Sequence, residues 1–352
     1  MKNIIDIPYI NLSNQWQEEK SELLPIINNV FSKGYYVGDV GGEEIEKFEE
    51  NIAQYVGTKY ALALNSGTDA LTHGLRLLGI VRGDEVITVP NSFVATTTAI
   101  IHLGAKPVFV DVLENQNIDS NKIESAITSK TKAIMPVHLT GRLCEMDRII
   151  EIAKKYNLYI IEDAAQAIGS KYNEKKSGSY GHVGCFSTHP LKNLNSFGDG
   201  GFLTTNDERI YVEGRILRNH GLVDRNTLKN IGYVSRMDIL QAAILNYRLG
   251  KLDRIIERRR KNAKMYLQNL NDKKLILPTE NKNEFNTYHT FVIQTDRRDE
   301  LRHYLYTKGV ATVIHYPVPI HLQPASKFLL YKEGSFPVTE SQSNKILSLP
   351  IH

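Results

Sequence analysis

The sequence predicts an α/β protein: a mostly parallel central sheet covered on both faces, followed by a smaller C-terminal α+β domain. Three observations predict it. Short β-rich runs alternate with helical patterns through the first half of the chain, and strands separated by helices pair in parallel and are covered from both sides. From about Gly250 the pattern changes to a long charged helix followed by a strand, a helix and a second strand. At 352 residues and 41% hydrophobic, the chain is long enough for a large core with two lobes. The expected division is residues 1–249, with the N-terminal segment included, and residues 250–352.

The elements follow in order. A helix over Asp69 to Leu78 begins just after Ser66-Gly67-Thr68. Strands are expected at Glu85 to Pro90, Lys106 to Val112, Lys132 to His138 and Leu158 to Asp163. Between them lie helical patterns at Phe93 to Leu103, Ile123 to Ala126 and Met146 to Tyr156. A further short apolar strand carries Cys185 to Ser187, with Lys192 placed at its end. In the C-terminal part the reading is a helix over Lys251 to Leu270, a strand at Thr290 to Gln294, a helix at Asp299 to Lys308 and a strand at Ala311 to His315.

Composition excludes several classes. The net charge of +4 is small for this length, and acidic and basic residues are interspersed, so no nucleic-acid partner is expected. The densest basic run, Arg258-Arg259-Arg260-Lys261, reads as a solvated helix face or a subunit contact. The first thirty residues hold no continuous apolar run and no later stretch is long enough to span a bilayer, so neither a signal peptide nor a membrane partner is expected. Two cysteines, Cys144 and Cys185, supply neither a disulfide framework nor a cysteine-rich metal site, and a reducing cytoplasm fits them.

Lys192 carries the chemistry. A lysine beside apolar strand residues is costly to bury as a cation, so its pKa is depressed or its amine is used chemically. The common use is a Schiff base with a carbonyl, of a substrate or of pyridoxal phosphate (PLP). Four other features bear on that choice. Asn65-Ser66-Gly67-Thr68 at a helix start is a phosphate seat or an ordinary N-cap. Asp163, at the end of a strand, points at the crevice of an open sheet or caps the next helix. Phe93 is a ring stacker or a core aromatic, and Ser187 carries a hydroxyl on the strand leading to Lys192. Each has an ordinary structural reading alone. Their order along the chain, phosphate turn, stacker, carboxylate, hydroxyl and lysine, is what a PLP site requires.

The segments NSGTDAL, VPNSFVATTTAI, PVHLTGR, EDAAQAIG, FSTHPLKNLNSFGDGG, RNHG, GYVSRMDILQAAIL and HYPVPIHLQPA carry a resemblance that runs from about Gly38 to His352. The chain resembles the DegT/DnrJ/EryC1/StrS family of PLP-dependent nucleotide-sugar aminotransferases, with the three-layer fold of fold-type I PLP enzymes. The resemblance implies that Lys192 binds PLP as a Schiff base and then moves the proton between substrate and cofactor. Asp163 would face the pyridine nitrogen and Gln166 the phenolic oxygen. Phe93 and Ala165 would cover the two ring faces, and Ser66, Gly67, Thr68 and Ser187 would hold the phosphate. It also implies L-glutamate as amino donor, a nucleotide-linked keto-deoxysugar as acceptor, and a homodimer with shared sites.

For the acceptor a 3-keto-6-deoxyhexose comes first and a 4-keto sugar second, linked to dTDP or to GDP or UDP. The competing readings are a sugar dehydratase, in which histidine replaces the lysine, and a non-catalytic regulatory protein on the same fold. Thr188, Arg218, His220, His315 and Tyr316 match segments near the family's substrate site. Thr188 stands where relatives have an aromatic and is the expected determinant of substrate choice, with the loops around Tyr35-Tyr36 and His315-Tyr316. Val234 stands where relatives have an asparagine that reaches the partner's cofactor, and relatives continue beyond Leu349-Pro350-Ile351-His352 into a further helix. His138 and Arg142 are expected to fix the loop near the cofactor, and no metal site is expected.

Overall fold

Seven strands form the central sheet of the computed structural model, which describes residues 6–38 and 42–352. In chain order come β1 (Tyr60–Leu64), β2 (Glu85–Thr88), β3 (Lys106–Phe109), β4 (Thr131–Ile134) and β5 (Tyr159–Asp163). The two-residue strands β6 (Lys171–Tyr172) and β7 (Lys175–Lys176) form a small ribbon before β8 (Val183–Ser187) and β9 (Gly201–Thr205). The sheet order is β1-β9-β8-β5-β4-β2-β3. Only β9 runs antiparallel to its neighbours, so six strands point their carboxyl ends to one edge.

Alternation along the strands explains why both faces are covered. Ala61 and Ala63 of β1, Phe186 of β8 and Phe202 of β9 face one core. There they meet Phe48 and Ile52 of α2 (Glu43–Val56) and Ala242 and Leu245 of α7 (Ile239–Leu249). The intervening Leu62, Leu64, Val183, Cys185 and Leu203 face the other. On that side lie α3 (Gly67–Leu77), α4 (Val94–His102) and α6 (Glu208–Arg218), while α5 (Met146–Tyr156) covers the β4–β5 region. A long N-terminal helix, α1 (Leu12–Lys33), starts at Asn11, whose side chain accepts from the Asn14 N–H at 3.0 Å.

The C-terminal part is built on α8 (Leu252–Asn269), with β10 (Glu284–Phe285) joining the small ribbon. A second sheet pairs β11 (Phe291–Gln294) with β12 (Ile346–Leu349), flanked by α9 (Arg298–Thr307) and α10 (Pro337–Lys345). Phe291, Ile293, Leu347 and Leu349 share one core with Ala263 of α8.

Three expected elements differ. Ile123 to Ala126 is not an α-helix but part of two 3₁₀ turns, Ser120–Lys122 and Glu124–Ala126, because a four-residue apolar stretch cannot sustain the i to i+4 ladder. Ala311 to His315 makes a single bridge, Val313 to Ser348, and then leaves the sheet toward Pro317 and Pro319, which have no N–H to donate. Strand β8 ends at Ser187, so Lys192 lies in the loop that follows, where its own N–H donates to the His189 carbonyl at 2.8 Å.

That loop is clamped from below. The Arg248 guanidinium, its side chain 2% exposed, binds Glu19 of α1 at 2.7 Å. It also donates to the Asn195 carbonyl at 2.7 Å, three residues past Lys192. Removing one partner of such a pair leaves a buried charge unmatched. Glu19→Ala is therefore expected to lower unfolding free energy by about 3 kcal/mol in urea titrations; a loss under about 1 kcal/mol would show that the pair is solvated.

Candidate active site

Six parallel carboxyl ends meet at one edge, and ligands of open α/β sheets bind in the crevice outside those ends. A cavity of about 410 Å³ lies there. It is lined by Ser66, Gly67 and Thr68 after β1, Phe93 after β2, and Asp163, Ala165 and Gln166 at the end of β5. Ser187 at the end of β8 and Lys192 beyond it close the ring. The nine cofactor-site residues singled out in the sequence thus share one cavity.

At one end lies an anion seat. The Ser66 hydroxyl caps α3, accepting from the Asp69 N–H at 3.1 Å, and the first-turn N–H groups of a helix have no intrahelical partner. A Cβ on Gly67 would sit 2.6 Å from the Ser187 Cβ, so only glycine keeps the space between the α3 start and β8 open. Ser187 Oγ accepts from the His189 N–H at 3.3 Å, which leaves its own hydroxyl hydrogen to donate.

At the other end Asp163 is held rather than paired. Its Oδ2 accepts from Thr96 Oγ1 at 2.7 Å and its Oδ1 from the Ala165 N–H at 3.2 Å. No cation among the described residues lies within ion-pair distance of it. Burial pushes its carboxyl above the usual range, against the lowering effect of those hydrogen bonds and of Lys192. Burial likewise holds the Lys192 amine down to about 8, with Asp163 opposing. Gln166 Oε1 accepts from the Thr140 N–H at 2.9 Å, which turns its amide nitrogen toward the cavity, 3.5 Å from the Tyr316 hydroxyl.

The support beneath is polar and closed. Fully buried His138 and Glu162 meet at 2.9 Å. The Cys144 N–H donates to His138 Nδ1 at 3.2 Å, so Nε2 carries the proton given to Glu162. Arg142 binds Glu284 at 2.8 Å and ties the loop after β4 to the C-terminal part.

His315 and Tyr316 line the cavity, with the Tyr316 ring 5.9 Å from Phe93. His315 Nδ1 lies 3.0 Å from Ser348 Oγ, and burial with the Lys192 charge lowers its pKa to about 4. Three other expected substrate residues do not reach the cavity of this chain. Thr188 is fully buried under the loop; its N–H donates to the Gly200 carbonyl at 2.8 Å, and a Cβ on Gly200 would fall 2.3 Å from its hydroxyl. Arg218 is buried in an ion pair with Glu49 and donates to the Ala63 carbonyl at 2.8 Å. His220 lines a separate cavity of about 640 Å³ beside Asn219 and Arg236.

Other wall residues went unread in the sequence: Tyr9, Thr96, Arg259, His289 and Thr290. Arg259 also overturns the solvated reading of its basic run. It is 9% exposed and donates to the carbonyls of Tyr288 and His289, whereas Arg258 and Arg260 pair with Glu18 and Glu280. A signal existed: Leu252, Ile256, Arg259 and Ala263 recur at helical spacing on one face.

The donor set fits pyridoxal phosphate, with an anion seat at one end, an unpaired buried carboxylate for a ring nitrogen at the other, and an amine of lowered pKa between. The model of the DegT/DnrJ/EryC1/StrS aminotransferase family matches residues 18–352. The "dTDP-3-amino-3,6-dideoxy-alpha-D-galactopyranose transaminase" of Aneurinibacillus thermoaerophilus is 41% identical over 98% of this chain and 94% of its own length. A "Pleiotropic regulatory protein" of Geobacillus stearothermophilus is 40% identical over 99% of this chain and 94% of its own. The crystal structure of S. venezuelae DesV in complex with a ketimine intermediate superposes with a TM-score of 0.95 at 40% identity, covering 99% of this chain and 93% of that one. With a site of this composition on a fold shared along its whole length, the chain belongs to the DegT/DnrJ/EryC1/StrS aminotransferase family.

Proposed function

We propose that the protein is a PLP-dependent transaminase that moves an amino group from L-glutamate to a nucleotide-linked keto-deoxysugar. The acceptor proposed is a dTDP-linked 3-keto-6-deoxyhexose, the ketone that corresponds to the aminosugar named for the 41%-identical relative. The observation that carries the reading is the shared cavity of Lys192, Asp163 and the α3 anion seat. A regulatory protein has no use for a buried amine of lowered pKa facing a buried acid, and a dehydratase of this family would carry histidine at position 192. A homodimer is proposed as well, supported by exposed Tyr35, Tyr36, Ile231 and Val234. The buried free thiols of Cys144 and Cys185 suit the cytoplasm.

Bound PLP supplies an electron sink through which an amino group leaves one carbon and is later delivered to another. The chain's own residues do the rest. Lys192 Nζ, neutral in an appreciable fraction near pH 8, takes and returns the proton at the reacting carbon. Asp163, fixed by Thr96 and the Ala165 N–H, presents a carboxylate to a ring nitrogen without needing to reorganise. Gln166 offers an N–H, its carbonyl oxygen being held by the Thr140 backbone. Phe93 and Ala165 exclude water from the two faces.

The direct test incubates enzyme, PLP and glutamate with a panel of nucleotide-linked 3-keto and 4-keto sugars and identifies products by mass and NMR. Amination of the 3-keto members is expected, with no turnover and no lysine-bound cofactor absorbance in Lys192→Ala. If wild type aminates none of the panel, the sugar reading fails.

Capture of PLP requires the neutral amine. Because burial lowers Lys192, the capture rate should rise with pH and level off above about 8 rather than above its ordinary 10.5. Stopped-flow absorbance reads this, and a midpoint near 10 would mean that the amine is solvated. Gly67→Ala closes the space beside Ser187, so PLP affinity is expected to fall by at least about tenfold, with a lowered melting temperature because the new Cβ crowds β8. Unchanged affinity in equilibrium dialysis would remove the anion seat from the site.

A further inference from the structure

Arg259 is a buried guanidinium in the cavity wall that no carboxylate matches. Four cations around it are matched: Arg248 with Glu19 at 2.7 Å, Lys251 with Glu22 at 2.7 Å, Arg258 with Glu18 at 3.6 Å and Arg260 with Glu280 at 2.6 Å. These pairs use every acid of the adjoining groove that Arg259 also borders. Arg259 itself has no carboxylate oxygen within 4.0 Å among the described residues. Its Nη1 donates to the carbonyls of Tyr288 at 3.2 Å and His289 at 3.0 Å, while its Nε is buried with no acceptor. Burial lowers its pKa to about 10, so it stays charged at neutral pH, and a buried charge without a counter-ion is costly.

Two further orphans adjoin it. His289 Nδ1 and Thr290 Oγ1 are buried without partners, and both residues line the Lys192 cavity. Burial and the charges of Lys192 and Arg259 keep His289 neutral. Arg259, His289 and Thr290 thus share one stretch of the wall of the cavity that Lys192 also lines, with Arg259 fastened to that stretch through the Tyr288 and His289 carbonyls.

We propose that Arg259, with His289 and Thr290, forms a carboxylate subsite for the side-chain carboxylate of a dicarboxylic amino donor. The inference rests on the transaminase reading, with L-glutamate as donor. The donor's α-carboxylate hangs on the carbon that bears the reacting amine and stays beside Lys192. The side-chain carboxylate is the one free to reach another part of the wall, where Arg259, His289 and Thr290 stand. With Nη1 spent on carbonyls, the Nε edge of the guanidinium is left for it, and Arg–carboxylate pairs favour such parallel N–H bonds. The keto acid formed from the donor keeps this carboxylate, so the same subsite holds the product until it leaves.

The test is the first half-reaction alone: single-turnover conversion of the PLP-loaded enzyme by an amino donor, followed by absorbance with no sugar present. L-Glutamate is compared with L-norvaline, which has a side chain of similar length and no carboxylate. Wild type should prefer glutamate, and Arg259→Met should lose about 10- to 100-fold in efficiency with glutamate while norvaline changes less than about twofold. Arg259→Lys should fall between. Equal losses on both donors would assign Arg259 a merely structural role and overturn the proposal, as would a wild type that does not discriminate. Loss confined to the reverse half-reaction with an aminated sugar nucleotide would overturn it too, assigning the cation to the diphosphate. Failure of the sugar reading shows separately: glutamate would still load the amine and no keto-sugar would accept it.

Discussion

Desolvation of two opposite charges, the Lys192 amine and the Asp163 carboxylate, is the constraint on which the rest of the site depends. Burial favours the neutral form of each, and their mutual attraction opposes it. Neither is relieved by an ion pair, so the fold must hold both by other means. It holds Asp163 with a threonine hydroxyl from α4 and a backbone N–H from the following turn. It holds the Lys192 loop from below, through Arg248 and the Asn195 carbonyl. The Arg248–Glu19 pair thus joins α1, α7 and the Lys192 loop in one buried network, and the N-terminal helix becomes part of the cavity's support although its residues do not line it.

The carboxyl-end geometry explains what was legible in the sequence. Ser66 to Thr68, Phe93, Asp163 and Ser187 each lie at or just past a strand end, so locating the strands also located the residues, provided the strands run parallel. Lys192 was legible through its company rather than its element, since it sits in a loop and not on a strand end. Directions within the loop were not legible. Thr188 neighbours Ser187 in sequence yet turns away from the cavity and packs against Gly200, because the loop folds back to accept the Ser196 N–H at 2.7 Å. The burial of Arg218 was not legible for a different reason. Its partner Glu49 lies 169 residues away, and nothing local announces a buried pair of that kind.

The C-terminal contribution was the least readable. Arg259 belongs to a run of four basic residues, and composition alone puts such a run in water. The helical spacing of Leu252, Ile256 and Ala263 puts Arg259 on the buried face instead, and the two criteria conflict at that position alone in the run. Where a charged residue breaks an otherwise apolar stripe, the cost of burying it has to be offset by a partner, and here the described residues provide two backbone carbonyls but no carboxylate.

That asymmetry bears on how one cavity serves two dissimilar substrates in turn. Burial keeps His289 and His315 uncharged and holds the phenols of Tyr9 and Tyr316 in their protonated forms. His289, His315, Tyr9 and Tyr316 are therefore neutral hydrogen-bonding groups that share the cavity lining with Asp199 and the Arg259 cation. Neutral donors and acceptors suit the hydroxyls of a sugar without imposing a charge that the sugar cannot match. A single guanidinium in that wall engages a ligand strongly only when that ligand carries an anion that can reach it. A cavity with several charged histidines would bind the acid donor more tightly but would leave those charges unmatched when the sugar enters. Under the proposed function, holding His289 and His315 neutral by burial would let the donor and the acceptor use the same space in succession.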